Sequence, residues 1–286
     1  MEPRKERVWI TGAGGLIGSQ LIRLAPVHGA AVAIHGTTRA QVDLTDAAAV
    51  QEAFHRLQPD IVIHCAALTK TGLCEQQPTL ARTLNVEVTA RLAGLACDIP
   101  FIFFSTDLVF DGRQGNYDET AHVNPLGVYA DTKVAAEQVV LKNPTHTVIR
   151  TSLNGGNSAT GDRGFNEETR RAWQAGQTVP LFTDEFRCPI PAMVTARAVW
   201  ELILRREPGL YHLAGAERLS RWQIGQLLAQ RWPHLNPKFE PASRLDLPGP
   251  PRPADTSLNC VKVQRLLSFP IPGLSAWLAA HPHEVF

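Results

Sequence analysis

A tyrosine and a lysine four residues apart have the chemistry of a proton donor and its activator. Tyr129 and Lys133 lie in a segment with a helical pattern, so they would share one face of a helix. A ketone reduced by a hydride needs a proton at its oxygen, which a phenol can supply. A free phenol has a pKa of about 10, and a neighbouring ammonium group favours the phenolate. The spacing therefore predicts that Lys133 lowers the pKa of Tyr129 toward the working pH.

Three glycines near the start of the chain, Gly12, Gly15 and Gly18, have the spacing of a diphosphate-binding loop. They follow an apolar run rich in β-forming residues and precede a helical pattern. A turn of this kind presents backbone N–H groups at a helix N-terminus, where an anion is favoured. With Leu16 and Ile17 in the same turn, the segment predicts a dinucleotide site rather than an ordinary flexible loop.

The end of the second predicted strand carries no acidic residue, whereas NAD-binding folds use one there to hold the ribose 2′-hydroxyl. Thr38 and Arg39 stand at this point. Hydroxyl and guanidinium groups suit a 2′-phosphate, so we expect NADP(H) in preference to NAD(H). Asp43 and Leu44 would bracket the adenine. The alternative is that Arg39 is a solvated surface residue.

Two further stretches, Cys65-Ala66-Ala67 and Ser105-Thr106-Asp107, follow neighbouring predicted strands. The carboxyl ends of parallel strands meet at one edge of a sheet, where ligands bind. Small residues in the first stretch would let the backbone lie against a ligand. Polar residues that end a strand can also be simple turn formers, but their position favours a functional role.

The elements that would position these residues alternate between strand and helix patterns. Repeated βα units with continuous apolar strands predict an α/β fold with a Rossmann-type, doubly wound parallel sheet. The predicted strands cover Arg7–Thr11, Ala31–Ile34, Asp60–Cys65, Pro100–Phe104 and Thr147–Thr151. The predicted helices cover Leu16–His28, Asp46–Leu57, Leu80–Ala96 and Leu126–Leu141.

A smaller mixed lobe is expected in the second half. We assign 1–153 to an NADP-binding domain, with returning segments near 178–213, and assign 154–177 and 214–286 to a C-terminal substrate-binding lobe. Residues 154–161 are polar and glycine-rich, which predicts either a mobile lid over the substrate or a linker. Helices are predicted at Gly164–Gly176, Ala192–Arg205 and Ser220–Arg231, strands at Val179–Phe182 and Gly209–Leu213, and an irregular proline-rich connection at Pro237–Pro253.

Composition limits the classes of function. Of the 286 residues 44% are apolar, and 28 basic residues balance 27 acidic ones. This balance argues against a nucleic-acid or membrane-binding surface. Five cysteines, with no C-x-x-C and no Cys–His cluster, indicate reduced thiols and no metal site. Residues 1–7 lack the apolar segment of a signal peptide, and no apolar run approaches the roughly 20 residues of a membrane helix, so a cytoplasmic location is expected.

Together these motifs resemble the extended short-chain dehydrogenase/reductases, and more narrowly the dTDP-4-dehydrorhamnose reductase group. The matching segments are Thr11–Gly18, Cys65–Ala67, Asn85-Val86, Ser105–Gly112, Tyr129-x-x-x-Lys133 and Arg252-Pro253-x-Asp255-x-Ser257-Leu258. The family also includes the regulatory β subunit of methionine adenosyltransferase, which binds NADP and serves as a partner protein.

The resemblance implies an NADPH-dependent oxidoreductase that reduces a keto group on a nucleotide-linked sugar, as in dTDP-rhamnose biosynthesis. Tyr129 would donate the proton, and Lys133 would also bind the nicotinamide ribose. Thr106 would hydrogen-bond the substrate oxygen, with Asp107 beside it, and Asn85 would support the water network behind the site. The expected cofactor contacts are Gly12, Gly15, Leu16, Ile17, Gly18, Thr38, Arg39, Asp43, Leu44, Cys65, Ala66, Ala67, Asn85, Tyr129 and Lys133.

Two stretches depart from the family pattern. Members commonly carry tyrosine at the position of Leu108, and reductases of rhamnose synthesis usually have an aromatic or His, then Thr and a Val-Asp pair, where this chain has 68–73. The resemblance therefore implies retained hydride chemistry with an altered sugar preference. Arg187 lies in a segment similar to the family's substrate loop and is a candidate for a substrate phosphate. The expected substrate contacts are Thr69, Leu108, Asn154, Arg187 and Arg252.

Two alternatives to the reductase stay open. One is a non-catalytic NADP-binding regulatory subunit. The other is a nucleotide-sugar epimerase or dehydratase, which would retain its cofactor through the cycle, whereas a reductase should release it. The expected partner is a small nucleotide sugar, and both a monomer and a homodimer are compatible with the sequence.

Overall fold

Strands and helices alternate through the first half of the chain. The structure, a computed structural model, describes residues 4–28, 32–246 and 249–286. The strands are β1 (Glu6–Thr11), β2 (Val32–Thr37), β3 (Ile61–His64), β4 (Phe101–Thr106), β5 (Thr147–Thr151), β6 (Asn154–Gly155), β7 (Thr178–Phe182), β8 (Phe186–Arg187), β9 (Ile190–Pro191), β10 (Gly209–Leu213), β11 (Leu219–Ser220) and β12 (Lys238–Ala242). The α-helices are α1 (Leu16–His28), α2 (Ala47–Leu57), α3 (Thr71–Gln76), α4 (Pro78–Arg82), α5 (Val88–Leu95), α6 (Val128–Val140), α7 (Phe165–Gln174), α8 (Ala192–Arg205), α9 (Arg221–Arg231), α10 (Val261–Gln264) and α11 (Leu274–Ala280). Among the helices of the described ranges, none combines the length and the apolar character needed to cross a membrane.

Six of the described strands form one parallel sheet in the order β10-β5-β4-β3-β1-β2. Strand β1 lies between β2 and β3, so the chain builds the sheet outward in opposite directions from this point. The carboxyl ends of β1 and β3 therefore mark the switch point at which such sheets bind ligands. The α/β, Rossmann-type fold predicted from the sequence is confirmed.

Apolar side chains of the strands enter two cores, one on each face of the sheet. Val8 and Ile10 of β1 face the core shared with α1 and α8, and Trp9 between them faces the core shared with α2, α5 and α6. All three side chains are fully buried. Burial on both faces is the reason that these strands are continuous apolar runs in the sequence.

Strand β2 differs from the prediction of Ala31–Ile34, because it extends to Thr37; Ala31 itself lies outside the described residues. Pairing with β1 continues through Gly36 and Thr37, and Trp9 Nε1 donates a hydrogen bond to Thr37 Oγ1 at 2.9 Å. Gly36 lies within the strand and does not end it. A Cβ at this position would lie 2.5 Å from Ile22 Cδ1, so the missing side chain of Gly36 lets α1 pack closely on β2.

The single helix predicted for Leu80–Ala96 is interrupted. Helix α4 passes into a π-helical turn at Thr83–Glu87 and then into α5, and α3, which was not predicted, precedes α4. Periodicity over a long apolar pattern does not detect one inserted residue, and such π-turns occur often at functional sites. The turn holds Asn85, whose contacts are described below.

The second half contributes to both parts of the fold. Strand β10 joins β5 in the main sheet, and α8 packs against α1. Strand β7, also within the predicted returning segment 178–213, instead pairs with β12 in a separate two-stranded sheet. The prediction of an irregular connection over Pro237–Pro253 was therefore wrong for the residues of β12. Both strands of a two-stranded sheet are edge strands, and an edge strand can contain a proline such as Pro241. Pro248, in the centre of that segment, lies outside the described residues.

Candidate active site

The turn after β1 forms a close contact with the turn after β3. Gly12 has a φ of +71°, and a Cβ there would lie 2.6 Å from the backbone nitrogen of Ala66. Gly15 N donates to Gly12 O at 2.9 Å, and a Cβ on Gly18 would lie 2.4 Å from that same oxygen. Glycine is therefore required for the turn, for the contact with the next loop and for the close packing of α1.

The cradle formed by these glycines fits the diphosphate of a dinucleotide. Helix α1 begins at Leu16, so the amide groups of Leu16 and Ile17 lack carbonyl partners within the helix. The partial positive charge of the helix N-terminus adds to their attraction for phosphate. The small side chains of Ala66 and Ala67 follow β3 on the other side of the switch point.

The end of β2 presents an exposed cation. The Arg39 side chain is 83% exposed, and its Nε lies 3.8 Å from Asp43 Oδ2. Hydrogen bonds from Thr45 and the charge of Arg39 hold the pKa of Asp43 below its usual range. The Thr38 hydroxyl donates to Gln41 Oε1 at 3.0 Å. Neither Asp nor Glu occupies positions 35–39, so the acidic residue that holds the ribose 2′-hydroxyl in NAD-binding folds is missing at the end of β2.

Side chains from other elements hold the segment at Leu44 and the loop after β3. Arg91 Nη1 donates to the Leu44 carbonyl at 2.9 Å. Asn85, in the π-turn, accepts from Leu68 N at 2.8 Å and donates to Leu68 O and to Thr132 Oγ1. It is 1% exposed and therefore fixes this loop against α6. Thr69, a predicted substrate contact, is exposed.

Tyr129 and Lys133 lie one turn apart on α6, and both are buried. The helix begins at Val128, whose amide donates to Glu75 Oε1 at 2.7 Å. Burial lowers the pKa of Lys133 to about 7, against the opposing effect of the Glu137 carboxylate. The Lys133 Nζ lies 4.0 Å from the centre of the Phe103 ring.

The pKa of Tyr129 is raised, in contrast to the lowering predicted from its spacing to Lys133. Burial is the main cause, and a hydrogen bond with Thr106 acts in the opposite direction. Apolar neighbours of the ring include Leu68, Leu108 and Val128. In this structure the ammonium group lies against an aromatic ring, and the phenol lies in an apolar pocket, so the protonated phenol is strongly favoured.

Thr106 ends β4 beside Tyr129, and its hydroxyl is oriented by Asp107. Thr106 Oγ1 donates to Asp107 Oδ1 at 3.2 Å and accepts from Leu108 N at 3.2 Å. Asp107 Oδ2 accepts hydrogen bonds from Ser152 Oγ at 2.7 Å and from Thr256 Oγ1 at 3.0 Å. Asp107 is 4% exposed, so its carboxylate acts on the cleft through Thr106.

Arg187 does not occupy the position that a phosphate contact requires. It is 3% exposed, donates to Thr256 Oγ1, and its Nε lies 3.9 Å from Asp107 Oδ2. The segment that resembles the family's substrate loop contains the short strand β8, which pairs with β11 and carries Arg187 into the interior. Arg187 therefore balances the charge of Asp107.

Glu185 was missed by the sequence analysis, although it organises the arginines of the lobe. It is fully buried and accepts hydrogen bonds from Arg187, from Arg221 at 2.8 Å and from Arg252 at 3.3 Å. Burial alone would raise its pKa, but the three guanidinium groups lower it to about 2. The Arg252 side chain remains 38% exposed and is the predicted substrate arginine that can meet a ligand.

Asn154, another predicted substrate contact, uses its side chain within the protein. Its Nδ2 donates to Thr151 Oγ1 at 2.9 Å, and its Oδ1 accepts from Thr195 Oγ1 at 2.6 Å. These bonds connect the end of β5 with α8. The amide therefore holds the loop in place and is not directed at a ligand.

His64, at the end of β3, is a second residue that the sequence did not single out. Its Nδ1 lies 2.7 Å from Thr11 Oγ1, and its ring stacks beside Phe103. Burial, reinforced by the charge of Lys133, lowers the pKa of His64 to about 3. A neutral imidazole therefore lies behind the lysine at neutral pH. The sequence feature that could have singled out His64 is its position as a polar residue at the end of an apolar strand.

The chain that carries the glycine turn, Thr106, Tyr129 and Lys133 matches one protein family over nearly its whole length. Residues 6–282 match the family described as the RmlD substrate binding domain. The chain belongs to the RmlD family. The resemblance predicted from the motifs is thereby confirmed.

Relatives of this RmlD-family chain include reductases and a subunit of a methionine adenosyltransferase. It is 33% identical to the probable low-salt glycan biosynthesis reductase Agl14 of Haloferax volcanii, covering 95% of this chain and 96% of that protein. It is 27% identical to methionine adenosyltransferase 2 subunit beta of Xenopus laevis, covering 91% and 82%. The crystal structure of dTDP-4-dehydrorhamnose reductase from Bacillus anthracis in complex with NADP is 25% identical, with a TM-score of 0.86 and coverage of 97% and 98%. Membership of this family supports an oxidoreductase with a nicotinamide cofactor.

Proposed function

We propose that this protein is an NADPH-dependent reductase of a keto group on a nucleotide-linked sugar. The observation that carries the proposal is the placement of Thr106 and Tyr129 together at the carboxyl end of β4, on the same edge of the sheet as the glycine cradle that follows β1. A polar donor, a phenol and a buried ammonium group are the set that reduction of a ketone requires. The similarity to a dTDP-4-dehydrorhamnose reductase supports a sugar of that type.

Each side chain has a distinct task in this reaction. Tyr129 gives its proton to the oxygen of the ketone as the oxygen becomes an alkoxide, and Thr106 hydrogen-bonds the same oxygen. Lys133, held beside the ring of Phe103, supplies positive charge that favours the phenolate left on Tyr129. The reduced nicotinamide supplies the hydride when it is bound. The apolar pocket around Tyr129 excludes water and strengthens these interactions.

NADP(H) is the proposed cofactor because of the charge at the end of β2. Arg39 is exposed there, and Thr38 precedes it with a hydroxyl group. A guanidinium group binds a phosphate with strong, charge-assisted hydrogen bonds. The relative from Bacillus anthracis, which was crystallised with NADP, supports the same choice.

The decisive experiment measures oxidation of NADPH and of NADH by the purified protein with dTDP-4-keto-6-deoxy-L-mannose. Turnover that is faster with NADPH, with release of NADP⁺ after each cycle, supports the reductase. Conversion of a nucleotide sugar with no net oxidation of the cofactor would instead identify an epimerase or dehydratase. Tyr129→Phe is the matched variant that keeps the fold and removes the proton donor.

A regulatory subunit is the second candidate, favoured by the match to methionine adenosyltransferase 2 subunit beta across 91% of this chain. Leu108 and Leu68, which line the pocket of Tyr129, also offer a sugar no hydrogen bonds from their side chains. Tight NADPH binding with no reduction of any keto sugar, together with a stable complex with a methionine adenosyltransferase catalytic subunit, would establish this function instead.

A further inference from the structure

The loop formed by residues 156–164, here called the covering loop, contacts the N-terminus of α1. A Cβ on Gly156 would lie 3.5 Å from Leu16 Cδ1, and one on Gly164 would lie 3.4 Å from Leu16 Cδ2. Both ends of the loop therefore pass the Leu16 side chain. Leu16 is only 8% exposed, although it is the first residue of the helix at the edge of the sheet. The loop is thus adjacent to the proposed diphosphate cradle.

The charged groups at the tip of the covering loop interact within the loop and with α7. Asp162 accepts a hydrogen bond from Thr160, and its carboxylate oxygens lie 3.4 Å from Arg163 Nε and 3.9 Å from Arg171 Nη1. The hydrogen bond and the charges of these two arginines lower the pKa of the Asp162 carboxyl. The tip of the loop therefore carries charged, partly exposed side chains, whereas its two ends lie against Leu16.

One buried carboxylate gives the covering loop its shape. Glu167 is 5% exposed and accepts from Ser158 N at 2.6 Å, from Arg163 N at 2.8 Å and from Gly164 N at 3.2 Å. The Ser158 hydroxyl donates to both carboxylate oxygens. These bonds join both ends of the loop to the first turn of α7, so the loop has a defined conformation and can move as one unit.

We propose that the covering loop is a clasp for the dinucleotide: it closes over the diphosphate held by the glycine cradle and slows release of the cofactor. Neither of the two earlier interpretations of this segment, a substrate lid or a linker, assigns it to the cofactor. The residues predicted to contact the substrate, including Leu108 and Arg252, lie outside the covering loop. The inference needs only a dinucleotide at the cradle and holds whether or not a keto sugar is reduced.

Release of the cofactor tests the clasp directly. The dissociation rate of NADPH is measured by stopped-flow fluorescence for wild type, for Glu167→Gln and for the control Glu168→Gln, which makes the same charge change on the exposed neighbour. Loss of one network of hydrogen bonds should speed release in Glu167→Gln about tenfold, equivalent to 1.4 kcal/mol, with no change in the control. Unchanged release in a folded Glu167→Gln protein would overturn the proposal. Ser158→Ala, a smaller change, replaces Glu167→Gln if that variant does not fold, and is expected to shift release in the same direction.

A second measurement uses the wild-type protein alone. Arg163 is exposed in the covering loop, and Arg113 is exposed in a segment that does not contact it. NADPH should protect Arg163 from trypsin and leave cleavage at Arg113 unchanged, as followed by mass spectrometry. Protection of Arg163 only when a keto sugar is added would show that the loop is a substrate lid, and no protection by either would show that it is a linker. Since neither readout requires turnover, failure of the clasp and failure of the reductase are distinguishable.

Discussion

The ammonium group of Lys133 lies 4.0 Å from the centre of the Phe103 ring, in the interior of the protein. The lysine is 2% exposed, and its pKa falls to about 7 because burial disfavours the charged form. His64, stacked beside Phe103, stays neutral at this pH. The opposing charge near Lys133 is the Glu137 carboxylate, one turn further along α6. The buried Lys133 cation therefore lowers the stability of the fold, which gives a measurable pH dependence.

Replacement of Lys133 by Met should remove that pH dependence. In the unfolded chain the lysine keeps its proton up to about pH 10.4, whereas in the folded apoprotein it loses the proton near pH 7. The unfolded state thus binds more protons above pH 7, and the stability of wild type rises relative to Lys133→Met between pH 7 and 8.5. The expected slope is about 1.4 kcal/mol per pH unit at most. Urea unfolding at several pH values measures it.

The exposed Lys142→Met variant is the control for this experiment, because it removes an ammonium group near the end of the same helix without changing a buried charge. Its difference in stability from wild type should not vary over this pH range. A constant difference for Lys133→Met as well would contradict the depressed pKa.

Replacement of Tyr129 by Phe should separate chemistry from binding. The ring of Tyr129 packs among apolar side chains, so Phe can keep the packing and loses only the hydroxyl. We expect kcat to fall by about 10²–10⁴-fold, the usual contribution of a positioned proton donor. The dissociation constant of NADPH, measured by fluorescence titration, should remain within about twofold of wild type, or about 0.4 kcal/mol, because the glycine cradle and Arg39 are unchanged. Undiminished turnover would assign the proton to another group.

Local patterns predicted the main sheet and the helix that carries Tyr129 and Lys133, because each of these elements is encoded in a short segment. The glycine turn, the strand that ends at Thr106 and the helix that carries Tyr129 and Lys133 are each encoded within a few residues. Their meeting at one edge follows from the parallel order of the strands. What spacing did not reveal is the burial of this edge, which raises the pKa of Tyr129 and lowers that of Lys133.

Long-range pairings account for the features that the sequence did not reveal. Glu185 forms ion pairs with the arginines at positions 187, 221 and 252, and no periodicity in the sequence connects these segments. Strand β12 pairs with β7 across more than 50 residues of chain, so its proline-rich neighbourhood gave the wrong prediction. Asn85 was singled out by the family resemblance, but its hydrogen bonds with Leu68 and Thr132 join separate elements and could not be predicted from the sequence.

Replacement of Glu185 by Gln should destabilise the lobe in a pH-dependent way. The change removes the carboxylate that Arg221 and Arg252 share and leaves Arg187 with Asp107 alone, and loss of one partner of a buried ion pair costs about 3–5 kcal/mol. The pKa of Glu185 is about 2 in the folded state, below that of an unfolded chain near 4.3, so its contribution is complete above pH 5 and is lost as the pH falls. The difference between wild type and Glu185→Gln in the free energy of unfolding, measured with urea, should therefore be largest at pH 5–7 and become smaller toward pH 3. Glu240→Gln, an exposed change on β12, should show no such gap, and an equal gap at pH 7 and pH 3 would contradict the ion-pair assignment.

Replacement of Arg39 by Ala should weaken the binding of NADPH and leave the binding of NADH unchanged. The guanidinium group is exposed at the end of β2, where its nearest charged partner is Asp43 at 3.8 Å, so it can turn toward a 2′-phosphate at little cost. Loss of a charged hydrogen bond of about 1.5–3 kcal/mol corresponds to a rise in the dissociation constant of NADPH of roughly ten- to hundredfold. Fluorescence titration with both cofactors measures it, with Arg56→Ala on α2 as an exposed control. Equal weakening of NADPH and NADH would show that Arg39 supports the fold of this edge, and no weakening of either would show that it is a solvated surface residue.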